Sequence, residues 1–118
     1  MSQGVSLPPQ LQEQLLSFQQ FQQTLQVVVA QRQQLELEGS EIDRALEELG
    51  KIDDEDLVYK SIGALLVKSE RKKLIIELQE RRELVNTRVI VLTRQQSRTE
   101  AKVKDLQQSI QSKLRTSS

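Results

Sequence analysis

Residues 57–68, which read LVYKSIGALLVK, constrain the fold more than any other part of this sequence. Gly63 and Ala64 lie between Ile62 and Leu65, and a glycine in the first position is what a two-residue type II′ hairpin turn requires. A two-stranded ribbon is marginal in water unless another layer covers it. We therefore expect a hairpin whose cover comes from other chains, through these residues: Val58, Tyr59, Ile62, Gly63, Leu65, Leu66 and Val67.

A continuous helix through residues 57–68 is the alternative interpretation of this segment. Gly63 disfavours it, because glycine weakens a helix interior. The acidic run Asp53-Asp54-Glu55-Asp56 just before the segment also disfavours it, since it indicates a solvated loop.

Two long heptad patterns flank the predicted hairpin. Pro8 and Pro9 suit a first helical turn and Gly50 suits the position after a helix, so a first helix is expected over about 9–49. A second helix is expected over about 70–114, with Ser69 as its cap. The expected apolar seam of the first helix contains Leu11, Leu15, Phe18, Gln22, Leu25, Val28, Arg32, Leu35, Gly39, Ile42, Leu46 and Leu49, with two adjoining three-residue steps around Leu25 that predict a stammer.

The charge pattern indicates that the two helices run antiparallel. Residues 36–56 carry ten acids against two bases, whereas residues 57–118 carry fourteen bases against six acids. An acidic stretch followed by a basic one favours a chain that folds back on itself. The expected fold is mainly α: a long antiparallel two-helix coiled coil with a single β-hairpin between the arms, forming one domain over residues 1–118.

Composition argues against most enzyme chemistry. The chain contains no cysteine and no histidine, which removes thiol nucleophiles, imidazole acid–base catalysis and Cys/His zinc sites. No catalytic, cofactor-binding or metal-ligating set is visible, and the 53–56 acids lack the spacing of a calcium loop. We expect a protein that is not an enzyme and carries no cofactor.

Membrane and nucleic-acid partners are also not expected. No apolar run approaches the roughly 20 residues that span a bilayer, and no secretion signal is recognisable, so the expected compartment is the cytoplasm. The basic residues Arg71, Lys72 and Lys73 could contact phosphates, but few aromatic side chains are available to stack on bases.

Four segments resemble the β-type subunits of archaeal prefoldin. They are LLSFQQFQQ over residues 15–23, ALEEL over 45–49, VYKSIGALLVK over 58–68 and LQERRELVNTRVIVLTRQQ over 78–96. The third is the most specific because it combines one hairpin with its turn glycine. A single hairpin resembles the β type, since the α type carries two.

The resemblance implies a hexamer of two α-type and four β-type subunits whose hairpins assemble into an interchain β-barrel. It also implies an ATP-independent chaperone, or holdase, that binds unfolded proteins at coiled-coil tips and transfers them to a group II chaperonin. A coiled-coil scaffold or tether that binds no client is the alternative. The expected client-binding residues are Val5, Leu7, Leu11, Leu15, Leu16, Leu106, Ile110 and Leu114.

Overall fold

The computed structural model describes residues 7–116, which form two long helices joined by one β-hairpin. Helix α1 runs over Pro9–Leu49, strand β1 over Val58–Ile62, strand β2 over Leu65–Ser69, and helix α2 over Arg71–Thr116. The mainly α architecture with a single hairpin between two helices is confirmed. None of the helices in this part of the chain is long and apolar enough to cross a membrane.

The helix ends follow from local chemistry, with one correction. Pro9 occupies the first helical position, where its missing N–H costs nothing, and the Pro8 carbonyl accepts the first helical hydrogen bond from the Gln12 N–H at 3.0 Å. Ser69, expected to cap α2, is instead the last residue of β2. Glu70 occupies the cap position, since its carbonyl accepts the hydrogen bond of the Leu74 N–H at 3.0 Å.

The hairpin has the predicted turn. Gly63 has a φ of +57°, and Ala64 does not have a positive φ. This excludes a type I′ turn, which needs positive φ at both central residues, and agrees with type II′. The strands pair antiparallel, with Ile62 opposite Leu65 next to the turn and Val58 opposite Ser69 at the other end.

The chain packs as two compact units, and each helix contributes to both. We call Arg32–Val91 the hairpin unit, and the described residues 7–31 with 92–116 the terminal unit. In the hairpin unit, Leu49, Val58 and Leu74 form a buried cluster where strand β1 meets the ends of both helices. Val85 of α2 is fully buried at 0% exposure.

In the terminal unit, the two helical segments run antiparallel. Gln14 of α1 pairs with Ser109 of α2, and Phe21 of α1 lies under Lys102 of α2. The second contact is seven residues later on α1 and seven residues earlier on α2, as an antiparallel arrangement requires. The buried residues of this unit are Leu11, Val28, Thr99 and Ile110.

The stammer expected in α1 is wrong. Gln22 is exposed, whereas Phe21 beside it is half-buried, and Gln14 is half-buried as well. With Gln14 and Phe21 in the seam, the steps of three and four alternate without interruption, as an ordinary heptad pattern requires. The seam residues of α1 in this unit are Leu11, Gln14, Phe18, Phe21, Leu25 and Val28.

Candidate functional site

The hairpin exposes apolar side chains on both of its faces. Residues directly opposite each other on paired strands share a face. Ile62, Leu65 and Val67 therefore lie on one face and Tyr59 and Leu66 on the other, and all five are exposed, Leu66 most of all at 73%. Such a ribbon has no core of its own, so both faces are available to a partner.

Val58 differs from the other expected contact residues of the hairpin. It is buried against Leu49 and Leu74, and therefore attaches the base of the ribbon to the helices. Lys60, on the same face as Val58, donates a hydrogen bond to the carboxylate of Glu77 on α2 at 2.8 Å. These two contacts fix how the ribbon leaves the helices and let its remaining apolar residues face outward.

The acidic loop before the hairpin is occupied by internal contacts. The Asp54 carboxylate accepts a hydrogen bond from Arg71 at 2.8 Å and lies 3.3 Å from the Lys72 ammonium. The hydrogen bond from Arg71 is the main cause that holds the pKa of Asp54 below its usual range. Asp56 accepts a hydrogen bond from the Asp53 N–H at 2.7 Å, which closes the turn.

Among the residues that the structure describes, no group of three carboxylates is placed to hold a metal ion. Asp54 instead links this loop to the start of α2. Arg71 adds to this junction, because its Nε also donates to the Leu49 carbonyl at 2.7 Å.

Two bidentate ion pairs cross between the helices of the hairpin unit. Arg81 donates two hydrogen bonds to Glu38, and Arg82 donates two to Asp43, both at 2.9 Å. The hydrogen bonds from Arg81 are the main cause that lowers the pKa of Glu38. Two adjacent arginines of α2 thus pair with carboxylates that lie five residues apart on α1.

Gly39 explains how Arg82 reaches Asp43. Gly39 is buried in the seam, and a Cβ built on it would overlap the Arg82 guanidinium. The missing side chain therefore makes the space through which Arg82 passes. The sequence places both residues in the seam but gives no direct signal that one is small because the other is large.

The expected client-binding residues fall into three groups in the terminal unit. Leu11 and Ile110 are buried, at 1% and 7% exposure, while Leu7, Leu15 and Leu106 are half-buried. Leu16 and Leu114 are exposed. Val5 lies outside the described residues. The unit therefore presents some of this apolar surface directly and encloses the rest in its seam.

Sequence reasoning did not single out one further set of exposed apolar residues, which lies on the hairpin unit. These residues occupy helix positions outside the heptad seam, and only their hydrophobicity could have indicated them from the sequence. They are Leu37, Ile76, Leu84, Ile90 and Val91.

Comparison with known proteins agrees with this geometry. The sequence matches the prefoldin subunit family over residues 12–117. The chain belongs to the prefoldin subunit family. Prefoldin subunit beta of Thermococcus onnurineus is 39% identical over 93% of this chain and 95% of its own length. The corresponding protein of Archaeoglobus fulgidus is 42% identical over 92% of this chain and 93% of its own.

A solved prefoldin structure has the same fold. The crystal structure of the prefoldin beta subunit from Thermococcus strain KS-1 is 40% identical in sequence and superposes with a TM-score of 0.79, covering 93% of this chain and 96% of that one. The resemblance to β-type prefoldin subunits, which the segment VYKSIGALLVK carried most specifically, is thereby confirmed.

Proposed function

We propose that this chain is a subunit of an ATP-independent prefoldin chaperone that holds unfolded proteins and transfers them to a group II chaperonin. Its partners are two α-type prefoldin subunits and three further copies of this chain, which give two α and four β in the assembly. The chain works in the cytoplasm, without a membrane or nucleic-acid partner, and performs no catalysis.

The observation that carries this proposal is the hairpin with exposed apolar side chains on both faces. A subunit whose ribbon is attached at Val58 and Lys60, with its other apolar side chains uncovered, gains stability when the hairpins of other subunits complete the sheet. Ile62, Leu65, Leu66, Val67 and Tyr59 would then enter an interchain β-barrel.

The terminal unit supports the second half of the proposal. Unfolded chains expose hydrophobic segments, and apolar surface on a coiled coil can cover them without any chemical step. Leu16 and Leu114 are exposed, and Leu7, Leu15 and Leu106 are half-buried in the same unit. We assign client contact to this unit and oligomerisation to the hairpin.

Reconstitution tests both halves together. The chain is mixed with an α-type prefoldin subunit, its mass is measured by light scattering after chromatography, and a chemically denatured enzyme is diluted into the mixture without ATP. We expect a complex of six subunits that suppresses aggregation. Suppression should change little between low and high salt, because contact through apolar area is not screened as charge interactions are.

Two results would contradict the proposal in different ways. A chain that stays monomeric with its partner would refute the hairpin assembly. A stable complex that leaves client aggregation unchanged would favour the alternative, a coiled-coil scaffold or tether.

A further inference from the structure

The inference concerns a polar pair within the seam of the terminal unit. Gln14 occupies a heptad position between Leu11 and Phe18 on α1, where an apolar side chain is usual. Its side-chain Nε2 donates to the Ser109 hydroxyl on α2 at 3.0 Å. This pair therefore interrupts the apolar seam between Leu11 and the rest of the unit.

The hydrogen bonding of this pair is incomplete. The Oε1 of Gln14 is shielded from solvent, and the described residues offer it no donor. A polar pair at a heptad position stabilises a coiled coil less than two packed apolar side chains do. The closed form of the unit is therefore less stable here than an apolar layer would make it.

Leu11 and Ile110 lie next to the polar pair and are buried in the closed form. Leu11 is one helical turn before Gln14, and Ile110 directly follows Ser109. Both were expected to contact clients, and yet both are buried, at 1% and 7% exposure. A local opening of residues 7–14 and 109–116 would expose both side chains and hydrate the Gln14 amide in one step.

We propose that the Gln14–Ser109 pair sets this local opening, and that Leu11 and Ile110 contact non-native chains in the opened form. The inference rests on the proposed function, since it explains how buried residues of the client-binding unit become accessible. Gln14 and Ser109 act as positioning residues: they tune how often the apolar pair is presented, and they need not touch the client.

The test replaces both members of the pair by apolar groups of similar shape, Gln14→Met with Ser109→Ala. Replacing both partners removes the unsatisfied acceptor without creating a new one, so the variant should fold. The matched control, Gln19→Met with Ser97→Ala, makes the same chemical change at two exposed positions of the same unit. Each variant is assembled with an α-type subunit before measurement.

Hydrogen exchange followed by mass spectrometry measures the opening, and aggregation suppression measures client capture. In the Gln14/Ser109 variant we expect exchange of residues 9–16 and 106–114 to slow about tenfold, and capture to fall, because the opened form becomes rarer. Exchange in the hairpin unit and in the control should not change.

Unchanged exchange at residues 9–16 and 106–114 would overturn the inference, because the polar pair would then not set the opening. Slower exchange with undiminished capture would overturn it too, because clients would then not need Leu11 and Ile110. Failure of the proposed function is distinguishable from both results: the wild-type assembly would itself show no suppression, whatever the exchange rates.

Discussion

The hairpin unit and the terminal unit contain different parts of the same two helices, and different interactions join the helices within each unit. In the hairpin unit, bidentate pairs join Arg81 to Glu38 and Arg82 to Asp43 across the two helices, and a separate buried apolar cluster forms at the base of the hairpin. In the terminal unit, the seam contains the neutral pair Gln14–Ser109, and Lys102 lies 5.0 Å from the centroid of the Phe21 ring.

This difference suits two different tasks. Bidentate arginine–carboxylate pairs are geometrically specific, so they hold the hairpin unit in one register. A seam with a neutral polar layer imposes a weaker constraint and opens more readily. Under the proposed division of tasks, the hairpin unit would keep one arrangement, and the unit to which we assign client contact would open.

The largest expected effect is loss of assembly when charge enters the hairpin. Ile62→Asp with Val67→Asp places two carboxylates on the same face of the ribbon, where burial in an interchain barrel would be costly. We expect complexes to disappear in light-scattering chromatography while the helix signal in circular dichroism is retained.

Leu37→Asp is the matched control for that experiment, because Leu37 is also an exposed apolar residue of the hairpin unit but lies on α1. It should assemble normally. Full-size complexes of the hairpin variant would refute the assignment of assembly to the ribbon.

The second prediction disrupts the terminal unit and leaves the hairpin unit intact. Val103→Pro removes a helical hydrogen bond in the terminal unit and clashes with the preceding turn, at a cost of about 3 kcal/mol or more. We expect client capture to be lost and assembly through the hairpin to persist, as judged by aggregation suppression and light scattering. Val103→Ala controls for the loss of the valine side chain. If assembly failed only in the proline variant, client capture and assembly would not be separable.

A smaller effect is expected at Gly39, and it depends on Arg82. Gly39→Ala should leave the stability of the wild-type chain nearly unchanged, because the better helix propensity of alanine is offset when the methyl group displaces the flexible end of Arg82 from Asp43. In an Arg82→Ala background the same change should stabilise by about 0.5–1 kcal/mol, since alanine is the better helix former. Thermal denaturation of the wild-type chain, the two single variants and the double variant measures these changes in stability. Equal effects of Gly39→Ala in both backgrounds would show that the glycine does not make room for Arg82.

The smallest expected effect is a loss of thermal stability at acidic pH through Glu38. Arg81 lowers the pKa of Glu38 in the folded chain, so the ionised carboxylate stabilises the fold above the ordinary pKa of glutamate. That stabilisation is lost as pH falls through the lowered pKa. Between about pH 6 and pH 3, the melting temperature of the wild-type chain should therefore fall more than that of Glu38→Gln. Parallel curves for the two chains would mean that the pair contributes nothing to stability.

The sequence predicted the helices and the hairpin turn because each rests on local signals. Pro9 starts a helix, Gly63 permits a positive φ, and heptad spacing marks the seam, so these features depend on few distant contacts. The antiparallel arrangement followed from charge, although the individual pairs did not, because a long arginine side chain selects among carboxylates one turn apart.

Two features of the seam could not be predicted in the same way. Gln14 was passed over in favour of Leu15 because hydrophobicity alone selects the leucine, and only packing shows that the glutamine is half-buried. Gly39 was counted among the seam residues, and the reason for a glycine there becomes visible only with the Arg82 side chain in place. In both cases the deciding interaction joins residues more than 40 positions apart in the sequence.

Site-specific photocrosslinking tests the division of tasks most directly. A photoreactive amino acid is placed at Leu16, Leu114 or Leu37 in separate assembled complexes. Leu16 and Leu37 are matched at 57% exposure, and Leu114 is exposed at 46%. After illumination with a denatured client, the account predicts adducts from positions 16 and 114 of the terminal unit and few from position 37 of the hairpin unit. An equal or greater yield at position 37 would contradict the claim that clients are held by the terminal unit.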